Sequence, residues 1–297
     1  MDGDDLTPLQ TAASKGDLNG VKLLVGQGAD LNEAVVKGGT PLHMASSNGH
    51  LDVVKLLIDK GADIDSTNDY EDRTPLYAAS SNGHLDVVKL LIDNEADIDS
   101  TNDYEERTPL LAASFEGHLD VVQTLIDHGA DINMVDKDGM TPLHAASSYG
   151  QLAVLKALID IGVDLNAGDN EGNTPLHAAS SGDVYDTAQA LLNHGAEVDT
   201  GNFWGKTPLH LASCEGNLNI VQLLISHDAD LNSNESGMTP LHEASSNGHI
   251  DVLQALIYKG ANFNIVDEDG MTPLQLASSN NVEQALIFAM DGTEENY

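Results

Sequence analysis

Apolar residues in this chain recur at helical spacing in short runs separated by polar turns. Between Leu51 and Lys60, Leu51, Val54, Leu57 and Ile58 fall at i, i+3, i+6 and i+7, and Val53 and Leu56 widen the face. Asp52, Lys55 and Asp59 form the opposite, polar stripe. The pattern predicts a helix over this stretch, ended by Gly61. Upstream, Thr40 precedes Pro41, whose fixed φ and missing donor suit the first position of a helix. A shorter helix is therefore expected through Leu42, Ala45 and Ser46, stopping near Gly49. After the second helix, Ala62-Asp63-Ile64-Asp65 leads into a turn-rich connection. A helix–turn–helix of this size cannot bury its own apolar faces, so it must stack on neighbours.

The neighbours are copies. Thr-Pro occurs at Thr7, Thr40, Thr74, Thr108, Thr141, Thr174, Thr207, Thr239 and Thr272, at spacings of 33, 34, 34, 33, 33, 33, 32 and 33. A 297-residue chain would ordinarily be expected to form about two domains, but no linker interrupts this period. The expectation is one array of nine repeats. Residues 1–32 form an N-terminal cap repeat, 33–264 seven internal repeats, 265–291 a shortened C-terminal cap repeat and 292–297 an acidic tail. Gln10 and Gln275 stand where the motif has histidine, and repeat 1 adds Lys15 and Lys22, which suits solvent-facing ends.

The run Thr-Pro-Leu-His-x-Ala, then Gly-His, a Val-Val or Ile-Val pair, Leu-Leu and Gly-Ala-Asp, closely resembles the ankyrin repeat. Thr40-Pro41-Leu42-His43 and Thr141-Pro142-Leu143-His144 match its opening in full. The resemblance implies an all-α repeat solenoid of helix–turn–helix units, with β-hairpin fingers at right angles and inner helices lining a concave groove. It implies that the motif histidine hydrogen-bonds the Thr-Pro threonine. It also implies a non-catalytic protein–protein interaction scaffold, whose finger tips and inner-helix positions vary with the partner. Asn32, Asn133, Asn166 and Asn232 match ankyrin-repeat asparagines that an oxygen-sensing hydroxylase modifies.

Charge narrows the partner. The 48 acids against 12 bases give a net charge of −36, which repels nucleic acid and anionic membranes and favours a protein with a basic surface or segment. High-salt adaptation is a competing origin of such a composition. One cysteine, Cys214, rules out an internal disulfide framework. No apolar run approaches the ~20 residues of a membrane span, and Met1-Asp2-Gly3-Asp4-Asp5 lacks signal-peptide character. An intracellular, cytoplasmic chain is expected.

Departures from the repeat mark the candidate site. The two 34-residue spacings insert a residue into the fingers that carry Tyr70 and Tyr104, and these fingers hold the chain's two arginines, Arg73 and Arg107. Asp72 and Glu106 replace the finger glycine found at Gly139, Gly172, Gly205, Gly237 and Gly270; a glutamate does not easily take positive φ, so these fingers should fold differently. Aromatics make up 4% of the chain, so each one placed where sister repeats are polar is informative: Phe115, Tyr149, Phe203 and Trp204. With Met140, these residues are the expected partner contacts. Tyr77 and Tyr258 are expected to be packing residues. Glu95 and Asp228 replace the glycine that ends the second helix, at a cost of up to about 1 kcal/mol if the left-handed conformation persists.

Catalytic and metal chemistry find little support. The histidines form ladders a repeat apart, too widely spaced for one zinc. Gly201–Thr207 has three residues between its glycines where a phosphate-binding loop needs four. The Asp63-to-Thr74 stretch lacks the glycine and glutamate of a calcium loop. Cys214 replaces a serine, and Asn234-Glu235-Ser236 is a bare glycosylation triplet. No enzyme, cofactor or metal is expected. The alternative function is a binding module of a larger multidomain protein.

Overall fold

The computed structural model describes residues 6–34, 39–67, 73–102, 104–235 and 237–294. The helices run α1 (Pro8–Ser14), α2 (Leu18–Gly26), α3 (Pro41–Ser47), α4 (Leu51–Asp59), α5 (Pro75–Ser81), α6 (Leu85–Asp93), α7 (Pro109–Glu116) and α8 (Leu119–Asp127). They continue as α9 (Pro142–Ser148), α10 (Leu152–Asp160), α11 (Pro175–Ser181), α12 (Tyr185–Asn193), α13 (Pro208–Glu215), α14 (Leu218–Ser226), α15 (Pro240–Asn247), α16 (Ile250–Tyr258) and α17 (Asn280–Glu294). Each odd-numbered helix through α15 starts at the proline of a Thr-Pro pair, as the repeat grammar predicts. Repeat 9 departs: Pro273–Leu276 form a turn instead of a helix, and α17 supplies the second element. No helix among the described residues is long and apolar enough to cross a membrane.

The chain divides into two compact units, Met1–Pro142 and Leu143–Tyr297. In the first, α1, α3, α5 and α7 pack in succession, backed by α2, α4, α6 and α8. In the second, α11, α13 and α15 pack in succession, α10, α12, α14 and α16 do the same, and α17 packs on α16. Leucines of the first helices and Val/Leu positions of the second are fully buried, for example Leu76, Val88 and Leu91 in unit 1 and Leu209, Val221 and Leu224 in unit 2. Each such side chain contributes about 2 kcal/mol.

Histidine locks the caps. The Nδ1 of His43, His177, His210 and His242 accepts the backbone N–H of its Thr-Pro threonine at 3.0–3.1 Å. Nδ1 is thus an acceptor and Nε2 carries the proton. Nε2 donates to the carbonyl of Arg73, Lys206, Met238 and Met271 respectively, in the next finger. One imidazole therefore satisfies a helix N-terminus and ties two repeats. Gln10 is fully buried rather than solvent-facing. Its Oε1 accepts the Thr7 N–H at 2.7 Å and its Nε2 donates to the Gly39 carbonyl at 2.8 Å, which reproduces both histidine bonds.

Two kinds of left-handed residue punctuate the helices. After the second helix of a repeat, a methyl group on Gly61, Gly129, Gly195 or Gly260 would meet nothing within 4 Å. Glu95 and Asp228 accordingly occupy this place at φ 67° and 63°; the cost is confined to the backbone. Between the helices the situation differs. A methyl group on Gly83 would lie 2.6 Å from the His118 ring, whose Nε2 donates to the Ser81 carbonyl at 3.1 Å. His50 and His84 pack on Gly16 and Gly49 in the same way. Asp183 is the exception, at φ 55°, and there the residue of the next repeat is Asn217, whose Nδ2 donates to the Ser180 and Ser181 carbonyls. The smaller amide leaves room for the extra side chain and keeps the donor.

Asparagine and aspartate also join repeats. Backbone N–H groups of Asp63, Asp97 and Asp131 donate to Oδ1 of Asn32, Asp65 and Asp99 in unit 1. Glu197, Asp230 and Asn262 do the same to Asn166, Asp199 and Asn232 in unit 2. Part of the acid excess is thus structural. Burial pushes the Asp65 carboxyl above its ordinary value, opposed by the Asp97 N–H it accepts.

Candidate functional site

The described fingers are turns; no strand forms among the described residues, so the β-hairpins that the resemblance implies are not seen. In repeats 5, 6, 7 and 9 the finger starts at an Asx residue five positions before the Thr-Pro threonine. Asp136 Oδ1 accepts the N–H of Asp138 and Met140, Asp169 those of Glu171 and Asn173, and Asn202 those of Trp204 and Lys206. A backbone bond closes the loop, as in Asn202 N–H to the Lys206 carbonyl at 2.9 Å. The repeat 4 finger is one residue longer: Asn102 N–H donates to the Arg107 carbonyl and Asn102 Oδ1 accepts the Arg107 N–H at 2.7 Å. Glu106 nevertheless keeps the left-handed conformation, φ 55°, and donates its N–H to the Asn102 carbonyl at 2.8 Å. The extra residue changes the turn, while the glutamate accepts the glycine conformation at a backbone cost of about 1 kcal/mol. Asp72 and Tyr70 lie outside the described residues.

In unit 1 the candidate residues are engaged with one another. Arg107 Nη1 lies 3.1 Å from Glu105 Oε2, and its Nε lies 3.4 Å from the buried Asp136 carboxylate. The guanidinium covers the Phe115 ring at 4.1 Å, and Phe115 is buried. Arg73 reaches the same Glu105 at 4.0 Å and stacks on Tyr77 at 5.0 Å. Tyr77 is buried, a packing residue. Tyr104 is 72% exposed, with Lys137 Nζ 4.4 Å above its ring. Met140 is half-buried beside this network. The structure thus brings Arg73, Tyr104, Arg107, Phe115 and Met140 to one set of neighbouring fingers, with Phe115 as the floor under Arg107.

In unit 2, Phe203 and Trp204 form a finger tip, 78% and 56% exposed. The Phe203 N–H donates to the Glu171 carbonyl at 3.0 Å, linking its finger to the preceding one. Tyr149 directly follows α9 and is 64% exposed. Tyr258, expected to pack, is 85% exposed: it is the last residue of α16, the place that Asp59, Asp93 and Asp127 take in α4, α6 and α8.

One buried charge was not singled out from the sequence. Glu243 on α15 is 5% exposed and pairs with Lys206 Nζ at 2.9 Å. The aligned positions are Thr11, Met44, Ala78, Ala112, Ala145, Ala178, Leu211 and Leu276, so a lone acid in an uncharged, mostly apolar column was the available signal. Burial, reinforced by Glu243, pushes the Cys214 thiol up, which makes it a poor nucleophile. Desolvation holds the His43 and His177 imidazoles down at about 4 and lowers that of His210 as well. Among the described residues no group of three or more His, Cys, Asp or Glu is arranged to hold a metal ion.

The family model described as ankyrin repeats (3 copies) matches five overlapping stretches, 1–68, 65–136, 128–202, 185–267 and 236–296. No curated protein matches the chain.

Proposed function

Because the chain belongs to the ankyrin repeat family, whose repeats generally serve as protein–protein interaction modules, we propose that it is a non-catalytic scaffold holding a basic segment of a partner protein. The observation that carries this reading is the exposure of Tyr149, Phe203 and Trp204 where most sister repeats place polar residues, together with that of Tyr104 on a lengthened finger. Framework residues are buried and repeat almost unchanged; these residues do neither. Tyrosine and tryptophan offer large contact area with few rotatable bonds and are enriched at binding hot spots.

Unit 1 would present Tyr104 with the outer edges of Arg73, Arg107 and Met140, backed by Phe115, and Tyr70 belongs to the same proposal by its place in the repeat. Unit 2 would present Tyr149, Phe203 and Trp204. The net charge of −36 favours a basic partner and disfavours nucleic acid and anionic lipid. The test compares proteins retained from lysate by the wild type, Tyr104→Ala and Trp204→Ala at low and moderate salt. A protein held by the wild type and lost by either variant supports the scaffold reading. Equal recovery by all three would mean that recognition, if any, uses another surface.

A further inference from the structure

Building on the scaffold reading, we infer that the Phe203–Trp204 finger is the seat of an arginine side chain from the partner's basic segment, its guanidinium stacked on the indole and paired with carboxylates of the flanking fingers. Three aromatic rings of unit 1 each carry a cation of the chain itself: Arg73 over Tyr77, Arg107 over Phe115 and Lys137 over Tyr104, at 5.0, 4.1 and 4.4 Å. No cation among the described residues lies over Phe203 or Trp204. Lys206, two residues on, is held by Glu243 at 2.9 Å. The most exposed aromatic pair of unit 2 therefore shows the receiving half of an arrangement that unit 1 completes internally.

The surroundings supply the rest of a guanidinium site. Glu171 borders the tip through the bond between its carbonyl and the Phe203 N–H. Its carboxylate accepts from Asn173 Nδ2 at 3.2 Å, and Asn173 Oδ1 accepts from Asn202 Nδ2 at 2.8 Å, so the acid and the aromatic finger are braced together. On the other side, Glu235 occupies in repeat 8 the finger position that Phe203 holds in repeat 7, and it is exposed. The tip is also preformed. The Phe203 ring lies against Gly172, where a methyl group would come within 2.7 Å of it, and the Trp204 backbone N–H donates to Asn202 Oδ1 at 3.1 Å. Little ordering remains to be done on binding. Arginine fits better than lysine because a planar guanidinium can stack on an indole and still fork to a carboxylate at its edge.

Trp204 is the single tryptophan, so its fluorescence reads this site alone. The probes are hexa-arginine, hexa-lysine and hexa-citrulline peptides, titrated at about 0.1 M salt, where longer-range attraction is screened beyond ~10 Å. Emission and calorimetry are followed on the wild type, with calorimetry on Trp204→Ala and Glu171→Gln/Glu235→Gln. Hexa-arginine is expected to change the emission saturably, to bind more tightly than hexa-lysine and to outcompete citrulline entirely. Trp204→Ala should weaken it about 5- to 30-fold, and the double glutamine variant, which keeps the indole, should weaken it as well. Circular dichroism of both variants checks that the fold is intact. Hexa-arginine binding that leaves the emission unchanged and is indifferent to Trp204→Ala would overturn the arginine seat while leaving a basic partner elsewhere. Equal affinity for lysine and arginine would also overturn it. Absence of binding by every peptide would remove the seat and the basic-partner reading together.

Discussion

In unit 2 the residue three positions after the Thr-Pro threonine is histidine in four successive repeats, His144, His177, His210 and His242; in unit 1 the same place is held by Gln10, His43, Tyr77 and Leu111. Gln10 makes both bonds of the histidine cap, so the framework needs an acceptor and a donor at that spacing and not an imidazole. Tyr77 and Leu111 give up the side-chain cap bond and bury apolar surface instead, while the threonine hydroxyls still accept the Tyr77 and Leu111 N–H groups at 3.2 Å. The turns differ too. Unit 1 keeps glycine at Gly16, Gly49, Gly83 and Gly117, whereas unit 2 admits Asp183 where the overlying residue has become Asn217. The two units thus solve the same stacking problem with side chains of different titration and bulk.

The sharpest way to break this comparison is at the turn. Gly83→Ala in unit 1 combines a left-handed alanine, about 1 kcal/mol, with displacement of the His118 ring, about 1–3 kcal/mol. A loss of roughly 3 kcal/mol should appear as a lower urea midpoint. The double variant Gly83→Ala/His118→Asn, which copies the Asp183–Asn217 solution, should recover a large part of it. Failure of the second change to recover stability would show that the ring contact is not what demands glycine.

Acid should next separate the histidine-capped repeats of unit 2 from repeats 3 and 4 of unit 1, with His43 of repeat 2 following the unit 2 behaviour. Burial holds the folded-state pKa of His177 near 4, below the ordinary histidine value of 6.5. The unfolded chain therefore binds the proton first, so the stability is complete above about 6.5 and is lost as pH falls through the window toward 4. By pH 5 the loss is on the order of 2 kcal/mol for such a histidine, with His210 adding in the same direction. Hydrogen exchange between pH 7 and 5, corrected for intrinsic rates, should show α11 and α13 losing more protection than α5 and α7, whose caps carry Tyr77 and Leu111. His177→Gln should remove the effect at α11, since Gln10 makes the same bonds without titrating. Equal losses in all four helices would defeat the assignment.

The smallest effect is a gain. Asp183→Gly and Glu95→Gly relieve left-handed side-chain residues and should each raise the urea midpoint by up to about 1 kcal/mol equivalent. Before such repair, exchange should be fastest at the repeat boundaries that follow Glu95 and Asp228. Uniform protection there would mean the positive φ carries no strain.

Much of this was readable from neighbouring residues. Thr-Pro placed the start of every odd-numbered helix through α15, and Asx five positions before it with glycine two before it marks the finger turns of repeats 5 to 7 and 9. The repeat 4 finger was legible as an exception, yet its Glu106 keeps the glycine conformation because Asn102 closes the longer loop from both its backbone and its side chain. Gln10 read as a surface residue because its polarity says nothing of the Gly39 carbonyl waiting for it 29 residues later. Tyr258 read as packing because its helix is amphipathic, but it stands at the helix end where sister repeats place aspartate, and it is exposed there.

Phe115 and Trp204 draw the line between the two sources of information. Turn conformation and the repeat period depend on groups a few residues apart, so the sequence alone determined the helices of repeats 1 to 8 and the family, while repeat 9, whose Thr-Pro opens only a turn, escaped it. Whether an aromatic ring is floor or contact depends on what another segment lays over it. Arg107 folds back eight positions to cover Phe115, Lys137 arrives from the following finger to cover Tyr104, and Lys206 turns away from Trp204 to meet Glu243 on α15. Those pairings are set by the register in which fingers and helices stack, because an ion pair or a cation–ring contact exists only within a few ångströms. Only the tertiary structure decided them.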